Sequence, residues 1–220
     1  MVDGSSGLVE RVLPSSVPVK QSIVALDMEG VLTPEIWIAV AEKTGIVGLR
    51  LTTRDIPDYD LLMRGRLDLI ARHGLKLSDL QAVIAALRPL DGALTFLREL
   101  RSFTQVIILS DTFEQFAQPL LRQLEWPTLL CHRLVVEDDR IIDYALRMRD
   151  QKKAAVAALR GLNYFVIAGG DSYNDTAMLL EADAGILFRA PEKVRQEFRQ
   201  FPAVETYPDL IALIRRAVPR

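Results

Sequence analysis

From residue 22 onward, short runs of β-branched and aliphatic residues alternate with longer stretches in which apolar positions recur every three or four residues. The runs SIVALD (22–27), QVIILS (105–110), YFVIAGG (164–170) and AGILF (184–188) are continuously apolar, as strands buried on both faces of a parallel sheet require. A weaker run, TLLCH (128–132), follows a helical stretch at 113–124. LVVEDDRIIDY then sets an Asp138-Asp139 turn between two apolar runs and predicts a hairpin. Strands that alternate with amphipathic helices predict an α/β fold, a Rossmann-like parallel sheet flanked by helices.

One segment breaks the alternation. Residues 34–88 carry helical periodicity alone, in EIWIAVAEKTG, DYDLLMRGRLDLIARHG and SDLQAVIAALR. Asp58 and Ser78 fit helix N-caps, and Gly45 and Gly74 fit helix stops. A single crossover between strands needs far less chain, so the segment predicts a small helical cap inserted after the first strand. It would lie over the carboxyl ends of the strands, where ligands bind in open α/β sheets. The expected organisation is a flexible N-terminal arm at 1–21, a core built from 22–33 and 89–220, and the cap at 34–88.

Composition acts mainly by exclusion. The chain has 220 residues, half of them hydrophobic, with a net charge of -2. That charge offers no long-range attraction for nucleic acid or an anionic membrane and points to a small-molecule partner. Cys131 is the only cysteine, so no internal disulfide forms, which fits a reducing compartment and a cytoplasmic location. No apolar run approaches the roughly 20 residues that span a bilayer, and the first twenty residues lack the apolar stretch of a signal peptide.

The chemistry gathers at strand ends. The first strand closes on Asp27-Met28-Glu29-Gly30, the second on Ser110-Asp111-Thr112, and a later one on GDSYND with Asp171, Asn174 and Asp175, while Lys152 opens the helix QKKAAVAALRG. A parallel sheet brings all of these to one edge. Clustered carboxylates imply a hard divalent cation, and Mg²⁺ suits oxygen ligands. A hydroxyl, a lysine and helix N-terminal amides form a phosphate cradle. A carboxylate beside a cation-bound phosphate can attack phosphorus. The residues therefore predict Mg²⁺-assisted phosphoryl transfer through an aspartyl phosphate. Trp37 reads as cap core, and His73 and His132, without metal-ligand spacing, read as structural.

DMEGVLT, ILSDT, Lys152 and GDSYND, in this order, resemble the four motifs of the haloacid dehalogenase superfamily, and the helical stretch resembles the cap of its phosphoserine phosphatase branch. DMEGVLTPEIWIAVAEKTGI, TTRDIPDYDLLM and GDSYNDTAML look most like the ThrH type of that branch. Glu29, and Ser110-Asp111-Thr112, stand where the serine phosphatases usually have Asp and SGG; the ThrH type shares these departures.

The resemblance implies a homodimer, Mg²⁺ dependence, phosphoserine as substrate and homoserine as a possible second phosphoryl acceptor; another small-molecule phosphomonoesterase of the superfamily is the alternative. It implies Asp27 as nucleophile and Glu29 as general acid and base. Ser110 and Lys152, with Asp111 and Thr112, would bind phosphate. Asp27, the backbone of Glu29, Asp171 and, through water, Asp175 would hold the metal. Asn174 would orient Asp171 or the phosphate. Glu35 and Arg66 would take the substrate ammonium and carboxylate, with Arg64 as the alternative to Arg66.

Overall fold

The computed structural model describes residues 20–219 apart from 54 and 57. The arm expected at 1–21 lies outside them, save for its last two residues, of which Gln21 already belongs to a strand. Strands β1 (Gln21–Leu26), β2 (Gln105–Phe113), β3 (Leu129–Glu137), β4 (Arg140–Ala145), β5 (Tyr164–Gly170), β6 (Ala184–Phe188) and β7 (Ala203–Val204) form one sheet in the order β4-β3-β2-β1-β5-β6-β7. Every pairing is parallel except β3 with β4. The chain leaves β1 for β2 on one side and later returns to β5 on the other. The carboxyl end of β1 is thus the switch point at which such sheets open a crevice.

Alternation along β1 explains its unbroken apolarity. Val24 and Leu26 enter one apolar cluster, Ile23 and Ala25 the other, so both faces are buried. Helices α4 (Ala93–Arg101), α5 (Glu114–Gln123) and α9 (Tyr207–Ala217) cover the first face; α6 (Gln151–Gly161), α7 (Thr176–Glu181) and α8 (Glu192–Glu197) cover the second.

Between β1 and β2 the chain forms α1 (Ile36–Thr44), a 3-10 turn (Val47–Arg50), α2 (Tyr59–Arg72) and α3 (Leu77–Ala85). Asp58 caps α2, accepting from the Leu61 amide at 3.0 Å, and Gly45 ends α1 with φ +73°. The segment shares the first-face core: Ile36, Met63, Ile70 and Ile84 belong to the same cluster as Leu26 and Phe113. No helix among the described residues is long and apolar enough to cross a membrane.

Several boundaries differ from the sequence reading. β1 stops at Leu26, leaving Asp27 as the first residue beyond it. β2 continues to Phe113 through a register irregularity after Leu109; a bulge of this kind re-aims side chains, and it carries Ser110, Asp111 and Thr112. TLLCH and the first hairpin limb are one strand, β3. The hairpin turn stands as expected, with φ +47° and +66° at Asp138 and Asp139, as a type I′ turn requires. Ser78 is not the cap of α3, which begins at Leu77. Its Oγ instead donates to the Asp139 carboxylate at 2.6 Å, a long-range partner invisible to local pattern.

Candidate active site

Asp27 is 4% exposed, directly past the end of β1. Its Oδ1 accepts from the Met28 amide at 2.7 Å and lies 2.9 Å from Lys152 Nζ. The chain then turns: Gly30 (φ +77°) donates to the Thr33 carbonyl at 2.8 Å, while the Leu32 and Thr33 amides donate to the Met28 carbonyl. Glycine is required here twice over. Its φ lies in the left-handed region, and a Cβ at Gly30 would stand 2.4 Å from Asp171 Oδ2.

Asp171 follows β5, and Asp175 lies one short 3-10 turn (Tyr173–Asp175) further on. A Cβ at Gly170 would stand 2.4 Å from Asp175, so two glycines clear the space in which the carboxylates approach. Asp175 is wholly buried and its oxygens are taken: Oδ2 accepts from the Asp171 and Ser172 amides at 3.0 and 3.1 Å, and Oδ1 accepts from Lys152 Nζ at 2.8 Å. Carboxylate oxygens of Asp27, Asp171 and Asp175 lie within 4.8 Å of one another.

Lys152 faces Asp27, Asp175 and Asp111, and Asp171 adds its charge beside Asp27. Burial, then Asp175, pushes the Asp27 carboxyl well above the ordinary range, with Asp171 adding to the rise against the pull of Lys152. Burial opposes the charge of Lys152, but Asp175, Asp27 and Asp111 more than offset it and hold the ammonium protonated beyond its usual range. A hard, oxygen-only donor set with surplus negative charge fits a divalent cation such as Mg²⁺.

Ser110 is 2% exposed, its Oγ accepting from the Thr112 amide at 3.3 Å. Asp111 turns Oδ2 toward Asn174 Nδ2 at 3.4 Å and Lys152 Nζ at 3.7 Å, and Oδ1 toward Gln151 Nε2 at 3.1 Å. Burial alone would raise its carboxyl, yet Lys152, His132 and Gln151 together hold it well below the usual range. Asn174, an exposed residue of the 3-10 turn, also takes a hydrogen bond from Ser172 Oγ.

The helical segment supplies the opposite wall. Glu29 Oε2 accepts from the Ile36 amide at 2.8 Å, at the N-terminus of α1, a position that favours a carboxylate. Burial and then the neighbouring Glu35 nevertheless push Glu29 up to about 7, against Ile36, Arg66 and Thr112. Arg66, on α2, is 7% exposed and stacks 4.6 Å over Trp37. One terminal nitrogen donates to the Leu51 carbonyl at 2.7 Å, and Nε has no partner among the described residues. Burial lowers this guanidinium to about 10. Arg64, its alternative, does not line the cleft but reaches Asp143 at 2.8 Å and lies over the Tyr144 ring.

One cleft of about 110 Å³ joins both walls. Asp27, Ser110, Lys152, Asp171 and Asn174 line it from the sheet side, together with Glu29, Glu35 and Arg66, whose charges act on one another. The site residues expected from sequence line it except Asp175, which is wholly buried, and Arg64. Sequence reasoning missed Tyr59, whose hydroxyl donates to the Asp111 carbonyl at 3.1 Å, and Gln151. It also read Trp37 as core alone, whereas the ring is buried and lines the cleft.

A family model described as haloacid dehalogenase-like hydrolase matches residues 22–183. The chain is 63% identical over 189 residues to phosphoserine phosphatase ThrH of Pseudomonas aeruginosa, covering 86% of this chain and 92% of that protein. It is 62% identical over 189 residues to a phosphoserine phosphatase of Pseudomonas syringae pv. tomato, covering 86% and 80%. The fold also matches a solved phospho-aspartyl intermediate analogue of phosphoserine phosphatase, with a TM-score of 0.70 at 19% identity over 85% of this chain and 94% of that one. A strand-end aspartate, a buried lysine and an acidic turn thus sit on the sheet and in the order of a known family: the chain belongs to the haloacid dehalogenase-like hydrolases, in the branch whose named members are phosphoserine phosphatases.

Proposed function

We propose that this chain is a Mg²⁺-dependent phosphoserine phosphatase that works through an aspartyl phosphate on Asp27, with homoserine as a second phosphoryl acceptor. The observation that carries the reading is the two-ended cleft. Asp27, Lys152 and Ser110 stand at one end, and a buried arginine with an unpaired nitrogen at the other. An α-amino acid bearing a phosphate on its side chain has groups for both. Arg66 would take the α-carboxylate and Glu35 the ammonium. Residues 34–88 then act as a cap that supplies the recognition end.

In the first step Asp27 attacks phosphorus and the bond from phosphorus to the serine oxygen breaks. The leaving oxygen takes a proton from Glu29. In the second step Glu29, now a carboxylate, takes a proton from water as the water oxygen attacks phosphorus, which releases phosphate and restores Asp27; a homoserine hydroxyl in place of water yields phosphohomoserine. A carboxyl poised near 7 serves both directions. Lys152, Ser110 and the Thr112 amide stabilise the phosphoryl oxygens. Asp27, Asp171 and the backbone carbonyl of Glu29 would hold Mg²⁺, with Asp175 behind them. The cation supplies charge neutralisation between the nucleophile and the phosphate.

Incubation with phosphoserine and Mg²⁺, with and without homoserine, tests the proposal. Free phosphate alone supports the phosphatase, and phosphohomoserine in addition supports transfer. Neither product would refute the substrate assignment.

A further inference from the structure

We propose that Gln151 and His132 are positioning residues that hold the Asp111 carboxylate off Lys152, and so keep one ammonium hydrogen free for the transferring phosphoryl group. The inference rests on the phosphoryl-transfer reading of the cleft. An ammonium has three donors. Lys152 spends two, on Asp27 at 2.9 Å and Asp175 at 2.8 Å. Asp111 Oδ2, at 3.7 Å, competes for the third. Asp111 is the only one of these carboxylates whose side chain is a third exposed, so it has room to turn.

What prevents that turn is a buried polar network. Gln151 is 3% exposed and His132 5%, and an unsatisfied group at such depth is costly. The Gln151 amide has two hydrogens. One goes to the Ser110 carbonyl at 2.6 Å and the other to Asp111 Oδ1 at 3.1 Å. Its oxygen accepts from Arg147 Nε at 3.2 Å, which fixes which end of the amide faces β2. His132 Nδ1 accepts from the Arg147 amide at 3.1 Å, so the ring hydrogen sits on Nε2. That nitrogen faces Asp111 Oδ1 at 3.6 Å, beside the Gln151 amide at 3.2 Å. The rings of Tyr59 and Phe113 wall the imidazole, and the Tyr59 hydroxyl holds the Asp111 carbonyl. Gln151 therefore holds Asp111 by Oδ1 and by the Ser110 carbonyl before it, His132 Nε2 faces the same Oδ1, and Tyr59 holds the Asp111 carbonyl, while Oδ2 keeps the longer Asn174 contact at 3.4 Å.

The test is titration of inorganic phosphate in the presence of Mg²⁺, alongside kcat and KM for phosphoserine. The variants are Gln151→Met and His132→Phe, each alone and combined with Asp111→Asn. Each single variant should weaken phosphate about tenfold, the worth of one charge-assisted hydrogen bond, and raise KM more than it lowers kcat. Asp111→Asn removes the competing charge, so in its background the same changes should cost less than about twofold. A role in stability alone predicts equal losses in both backgrounds. Undiminished phosphate binding in the single variants, losses that Asp111→Asn does not restore, or a wild-type protein that binds no phosphate would each overturn the inference. A wild-type protein that binds phosphate but does not turn over phosphoserine would refute the substrate reading and leave the phosphate titrations to decide this one.

Discussion

At the sheet end of the cleft Lys152 lies 2.9 and 2.8 Å from two buried carboxylates; at the helical end Arg66 is buried with a nitrogen that bonds to nothing described. The first cation is held before any substrate arrives, because β1, β2, β5 and α6 deliver its partners as a rigid set. The second is desolvated at a cost that only a ligand can recover. In the proposed reaction, pre-organisation belongs to the end that performs chemistry, where charge develops in the transition state. On the proposed function, an unfilled donor belongs to the end that selects the substrate.

Substitutions should separate the two ends. Asp27→Asn should abolish turnover, by about 10⁴-fold or more. Its melting temperature should not fall, because burial and Asp175 already disfavour the carboxylate; substantial residual activity would remove the nucleophile assignment. Arg66→Ala should raise KM for phosphoserine by about a hundredfold and barely change turnover of p-nitrophenyl phosphate, which has no carboxylate. Equal effects on both substrates would erase the distinction between the ends. Gly30→Ala should weaken Mg²⁺ activation by about 10- to 100-fold, since its Cβ would displace the Asp171 carboxylate. Unchanged Mg²⁺ dependence would show that Asp171 does not hold the ion.

The smallest effect is on stability. A carboxyl raised from 4.5 to about 7 stays protonated in the fold while the unfolded chain ionises. Glu29 therefore costs nothing below pH 4.5, costs progressively more up to about pH 7, and the cost then levels off. Glu29→Gln should stabilise the metal-free protein by about 2 kcal/mol at pH 8 and leave it unchanged at pH 4. Denaturant unfolding at the two pH values checks the sign, and a gain at pH 4 would contradict it.

The sheet end was largely legible in sequence because each of its residues adjoins a strand terminus or opens a helix, and parallel topology brings such positions together whatever their spacing. The helical end was legible mainly through family resemblance. Arg64 and Arg66 are indistinguishable by composition, yet two residues on a helix turn by about 200°, so one meets Trp37 and the other Asp143. Gln151, His132 and Tyr59 escaped because their importance depends on β3 lying beside β2 and on α6 starting against both. Ser78 misled for a similar reason: a distant carboxylate outbid the local cap.

Asp27 as the group that receives phosphorus is the centre of the proposed mechanism. The most direct measurement is rapid acid quenching of the enzyme with phosphorus-labelled phosphoserine and Mg²⁺, followed by digestion and location of the label. Acid-stable, hydroxylamine-labile label is expected on the peptide containing Asp27. Steady turnover with no protein-bound label at any quench time, or label on another residue, would contradict it.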